Sequence, residues 1–243
     1  MTALLRSQYL QLRTLRSTYG VAGTLIAIVA LTAGFVMKEA GTEELITAEQ
    51  LREPLVAAAG IVVAVVMAIL AAGRIAGEYR HGTIAQRGLA ARGRARMVTS
   101  ALLAHGAFAA LVSAVSFGIG AAIAAAVLAP TEYTNGLTGG ELAGTAGAVV
   151  LGGVAFTVMG GALGFITRSQ LGAASTVFGV FFAEKLFGSL LGAASGYLPF
   201  SLLNSLLKLD GPLAPGLAAA VLAVTAVATG GAAVVLARRR DLP

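Results

Sequence analysis

The sequence has no cysteine and no tryptophan, and charged residues fill only 12% of its 243 positions. Without cysteine there is no disulfide framework, no thiol nucleophile and no cysteine metal site. A soluble globular domain carries about 25% charged residues, so this scarcity excludes an ordinary water-facing surface. Histidine occurs twice. His81 and His105 have no carboxylate cluster beside them, and there is no His-Glu-x-x-His, so no metal centre is expected. His105, set among alanines, reads as a helix-packing residue. The chain contains no Gly-Lys pair and hence no phosphate-binding loop of the Gly-x-x-x-x-Gly-Lys-[Ser/Thr] type. No catalytic triad suggests itself. The chain is expected not to be an enzyme and to bind no cofactor of its own.

What is present is apolar. Hydrophobic residues make up 57% of the chain, and the mean hydropathy is +0.86. Apolar runs of about 20 residues cross the roughly 30 Å hydrocarbon layer as helices. Six such runs occur, at about 21–37, 55–75, 97–129, 142–167, 171–192 and 215–237. The expected fold is therefore all-α: one polytopic transmembrane domain over 1–243 with six spans. The run at 97–129 is too long for one upright span, so it must tilt, protrude or break, with the break expected near Gly118 and Gly120. Glycine is abundant, at 32 residues. Gly73/Gly77, Gly160/Gly164 and Gly188/Gly192 match the Gly-x-x-x-Gly helix-contact pattern, which carries little weight where glycine is this common.

The net charge of +6 is unevenly placed. The N-terminus, the loop after the second run (counted with Arg74), Arg168 and the C-terminal tail carry net +3, +5, +1 and +2. The intervening segments at 38–54, 130–141 and 208–210 carry −3, −2 and 0. Positively charged loops stay in the cytoplasm, so both termini are expected there. The charge is accounted for by topology and not by nucleic acid.

Residues 1–20 place Leu5, Tyr9, Leu12, Leu15 and Tyr19 on one helical face, with Arg6 and Arg13 opposite and Arg16 at the edge. This pattern suits a helix lying in the membrane interface, or else an amphipathic extension of the first span. Arg6, Arg13 and Arg16, with Arg92, Arg94 and Arg96 before the third run, are candidate interfacial anchors to the lipid bilayer.

Glu184 and Lys185 interrupt the fifth run, roughly 20 Å along a helix from Leu171. Two readings fit them. Charged groups inside a membrane mark substrate paths; alternatively the helix ends nearby and the charges reach water at the outer surface. Short outer helices are expected over 195–210, with Pro199 in a first turn and Leu202, Leu203, Leu206 and Leu207 on one face.

The loop at 76–96 contains Glu78-Tyr79-Arg80-His81-Gly82-Thr83-Ile84, and Thr83 is placed to cap a short helix reaching Leu89. With this order of residues the chain resembles the membrane subunit of type-2 ATP-binding-cassette (ABC) exporters. That family has an interfacial N-terminal helix, six spans, cytoplasmic ends, and a Glu-x-x-x-Gly-Thr signature after span two. Short outer helices precede its last span, where this chain has Tyr197-Leu198-Pro199-Phe200-Ser201. Where many members carry a proline before span three, this chain has Ala91-Arg92-Gly93.

The resemblance implies a permease that pairs with a second copy or a close relative. It also implies two copies of an ABC ATP-binding subunit, which hold the ATP and magnesium. Glu78, Tyr79, Arg80, Gly82, Thr83 and Ile84 would carry the coupling to that ATPase. The cargo would be hydrophobic or amphipathic, such as an antibiotic, peptide or lipid, and the site of action a bacterial plasma membrane. The competing classes are an ion-coupled secondary transporter using Glu184, and a scaffold or sensor whose arginines bind anionic lipid.

Overall fold

In a computed structural model, the structure describes residues 16–40, 53–91, 93–128, 139–209 and 211–239. Arg6, Arg13 and Arg92 lie outside the described residues, as do the segments at 41–52 and 129–138. Among the described residues all regular structure is helical. The helices are α1 (Arg16–Ala40), α2 (Glu53–Arg80), α3 (Thr83–Ala90), α4 (Arg94–Leu128), α5 (Gly139–Thr167), α6 (Gln170–Phe187), α7 (Pro199–Leu206) and α8 (Pro215–Arg239).

Four of these, α2, α4, α5 and α8, are long and apolar enough to cross a membrane. The apolar part of α1, Tyr19–Phe35, is shorter. Arg16 to Gly20, assigned by sequence to the interfacial segment, form the first turns of α1 and run straight into its apolar part. The fifth run departs from a simple span. Helix α6 stops at Phe187, and 3₁₀ turns continue over Gly188–Tyr197 through a kink at Gly192, whose φ is +53°. Helix α4 answers the question raised by the longest run: it continues unbroken through Gly118 and Gly120. A glycine weakens a helix only by about 1 kcal/mol, and at Gly120 the missing side chain is used. A Cβ there would collide with Leu55 and press on Val29.

The core has two parts. One unites α1, the start of α2, the end of α4, α7 and the start of α8, around Leu25, Val29, Val56, Leu202, Leu203 and Leu222. The other lies at the opposite end of the bundle, around Ile75, Ile84, Met97, Phe165 and Ala237. That second end also carries Arg80, Arg87, Arg94, Arg96, Arg168, Arg238 and Arg239, so it is the basic end of the protein.

Small residues set the spacing of the central helices. Gly160 and Gly164 of α5 lie directly on the backbone of Ala68 and Ala72 of α2, and a Cβ on Gly164 would sit 2.7 Å from the Ala72 carbonyl oxygen. The two pairs repeat at the same interval of four, which stacks small residues along a close helix crossing. Gly160/Gly164 is thus a seam within the chain, whereas nothing lies within 4 Å of a Cβ on Gly73. In α2 the backbone widens to a π-helical stretch at Ala57–Val62. A Cβ on Gly60 there, or on Gly152 of α5, would strike Leu207 or Leu203 at 2.5 Å. Both glycines make room for the leucine face of α7, which is buried as its spacing suggests.

Candidate functional site

The candidate site is the corner between α2 and α3 at the basic end. Helix α2 ends at Arg80, and His81 closes it by donating its backbone N–H to the Gly77 carbonyl at 3.0 Å. Gly82 then turns the chain with φ +68° and ψ +4°. An L-residue in this left-handed region is disfavoured by about 1–2 kcal/mol, so the position suits glycine. Gly82, not Thr83, occupies the cap position of α3, a shift of one residue from the sequence expectation. Thr83 is the first helical residue, and its hydroxyl reaches back to the Glu78 carbonyl at 3.4 Å. The left-handed glycine supplies the reversal that a side-chain cap would otherwise help to build.

Helix α3 is clamped to α2. Arg87 forms an ion pair with Glu78, and both side chains are 13% exposed. Glu78 Oε2 is buried without a hydrogen-bond partner among the described residues. A buried carboxylate is costly to leave without its cation, so this pair fixes α3 against the end of α2. Ile84 adds a fully buried anchor. The opposite face of α3 is open: Gln86 is exposed, and Leu89 is 82% exposed. Arg80, His81 and Thr83 are exposed on the same corner.

Tyr79 points inward instead. Its ring meets Phe165 edge-on with centroids 6.4 Å apart, and the Arg168 guanidinium lies 5.1 Å above it. Arg168 adopts φ +53° at the α5–α6 corner and donates its backbone N–H to the Gly164 carbonyl. A cation over an aromatic face is attractive, so the α2–α3 corner is tied to the α5–α6 corner. Gln170 strengthens that tie by donating Nε2 to the Gly73 carbonyl at 3.0 Å.

Of the six residues named for coupling, Arg80, Gly82 and Thr83 face outward, Glu78 is mostly buried, and Tyr79 and Ile84 are core contacts. Arg87, Arg168 and Gln170 complete the corner and were not singled out by sequence. Glu78 and Arg87 are nine residues apart across a turn, which no helical spacing rule flags.

The anchor residues divide. Arg94 is half-buried and reaches the Arg238 carbonyl at 3.4 Å, while Arg96 is exposed. Arg16 starts α1.

Glu184 and Lys185 separate completely. Lys185 is exposed, while Glu184 is buried and faces α7. Its Oε2 accepts the Phe200 backbone N–H at 3.0 Å. Its Oε1 accepts the backbone N–H of Ser201 and, at 2.7 Å, the Ser201 hydroxyl. The first N–H groups of a helix have no internal partner. Pro199 has none to offer, so this carboxylate satisfies the next two. Helix α6 ends three residues beyond Glu184, at Phe187; the capping contact between Glu184 and α7 belongs to neither sequence reading.

No group of three or more His, Asp or Glu side chains among the described residues is placed to hold a metal ion. No protein-family model matches the chain, and no curated protein matches it.

Proposed function

We propose that the protein is the permease subunit of an ABC exporter, and that α3 is the piece through which a separate ATPase subunit moves it. One observation carries this reading. Helix α3 stands beyond the end of a long apolar helix, clamped to it by Glu78–Arg87 and Ile84, with Leu89 and Gln86 turned outward. A helix held this way transmits displacement to α2 as a unit. The tie from Tyr79 to Arg168 extends that displacement towards α6. The outward face offers an apolar side chain, with exposed Arg80 on the same corner, a fit for a groove on a partner.

In this proposal six spans cross a bacterial plasma membrane with both termini cytoplasmic, and two permease copies work with two ATPase subunits that hold ATP and magnesium. The cargo is hydrophobic or amphipathic, consistent with an apolar bundle interior. The ion-coupled alternative is left without an unengaged carboxylate in α6, since Glu184 already serves three donors.

The test is co-purification with an ATPase and stimulation of its ATP hydrolysis. Glu78→Ala and Gly82→Pro are expected to abolish the stimulation while the chain still inserts. Purification of the chain alone, with ATP hydrolysis indifferent to both changes, would refute the proposal.

A further inference from the structure

A second surface lies on the other side of the basic end. Helices α4, α5 and α8 line a cleft of about 630 Å³. Leu103, Ala107 and Ala110 of α4 form one wall, and Val227, Gly231 and Val234 of α8 the other. Leu103, Ala107, Val227 and Gly231 are exposed, so the cleft opens outward along the flank of the bundle. It runs along α4 from Thr99 to Ala110, about 16 Å at 1.5 Å per residue. That is about half of the roughly 30 Å hydrocarbon layer, the depth of one leaflet.

The walls continue into positive charge. Residues three or four apart share a helix face. Arg96 lies three residues before Thr99, and Arg238 four after Val234, so each extends its own wall by one turn. Both are exposed. The Arg94–Arg238 contact holds the two helix ends together there. Neither helix contains an acidic residue to offset these cations.

We infer that this cleft binds an anionic phospholipid, with its phosphate against Arg96 and Arg238 and an acyl chain between α4 and α8. An apolar slot one leaflet deep with a doubly cationic mouth matches both parts of such a molecule. Arginine recognises phosphate through paired N–H donors, and each basic side chain at a membrane surface adds affinity for anionic lipid. This site is separate from the ATPase corner and does not depend on it.

The test uses the full chain in nanodiscs of equal phosphatidylglycerol and phosphatidylcholine. Native mass spectrometry then counts the lipids that survive transfer to detergent. Retention of phosphatidylglycerol is expected to exceed that of phosphatidylcholine by about tenfold, and Arg96→Gln with Arg238→Gln to bring the two to parity. Gly231→Leu is expected to lower retention of both lipids. A Cβ there meets nothing within 4 Å, so the bundle accommodates the change, and an unaltered thermal midpoint checks this. Equal retention by the wild type, or a preference unchanged in the double variant, would overturn the inference. So would a photocrosslinker at Ala107 that captures a second copy of the chain instead of lipid.

Discussion

Glu184 of α6 holds the start of α7 by accepting the Ser201 hydroxyl at 2.7 Å, and the same carboxylate takes the backbone N–H groups of Phe200 and Ser201. The contact joins two elements across the kinked 3₁₀ turns that separate them. Phe200 then packs edge-on against Phe156 and Phe181, with centroids at 5.0 and 4.8 Å. Loss of the carboxylate leaves one buried and one partly buried N–H group without acceptors, and a hydrogen bond to a charged group contributes about 1.5–3 kcal/mol. Glu184→Ala is expected to lower the thermal midpoint in detergent clearly, and Glu184→Gln less, because the amide keeps one acceptor. An Ala variant as stable as wild type would show that the cap contributes nothing.

The Glu78–Arg87 pair gives a cleaner test through restoration. Each single change, Glu78→Gln or Arg87→Gln, strands a partly buried charge, which costs about 3–5 kcal/mol in well-buried pairs; the 13% exposure here places it below that. The double neutral variant is expected to recover part of the loss. A double-mutant cycle on thermal stability reads the coupling directly. Additive losses would mean that the two side chains act independently.

Glycines in α5 should separate sharply by position. Gly160→Ala drives a methyl group into the Ala68 backbone, and overpacking of this kind costs about 1–3 kcal/mol. Gly144→Ala and Gly147→Ala meet nothing within 4 Å, so they are expected to be neutral or to stabilise by up to about 1 kcal/mol through helix propensity. Similar effects at all three positions would contradict the α2–α5 seam.

Gly82 is a backbone test. Its φ of +68° makes Gly82→Ala unfavourable by about 1–2 kcal/mol, and Gly82→Asn less so, because asparagine enters this region more readily. Protease protection of the α2–α3 corner is expected to fall in the order Gly, Asn, Ala. An Ala variant as protected as wild type would rule out the left-handed turn.

Much of the architecture is legible along the chain, because a helix in lipid satisfies its backbone internally and announces itself as an apolar run. The runs at 55–75, 97–129, 142–167 and 215–237 each match a long apolar helix, and α3 and α7 start within a residue of where Thr83 and Pro199 suggest. The fifth run, which Glu184 and Lys185 interrupt, is α-helical only in its first part. The α-helix ends at Phe187, and the backbone breaks from helical geometry at Gly192, whose φ is +53°.

That the chain is helical and apolar, with its arginines gathered between particular runs, follows from local composition and period alone. Which residues meet is set by the packing of the helices. That packing sets Gly160 against Ala68, Arg87 against Glu78, Arg168 over Tyr79, and Glu184 beneath the start of α7. In each of these the partners come from different helices or from opposite sides of a turn. Their meeting depends on how helices cross and in what register, which the sequence of a single helix does not carry even where, as in α7, its spacing marks the buried face.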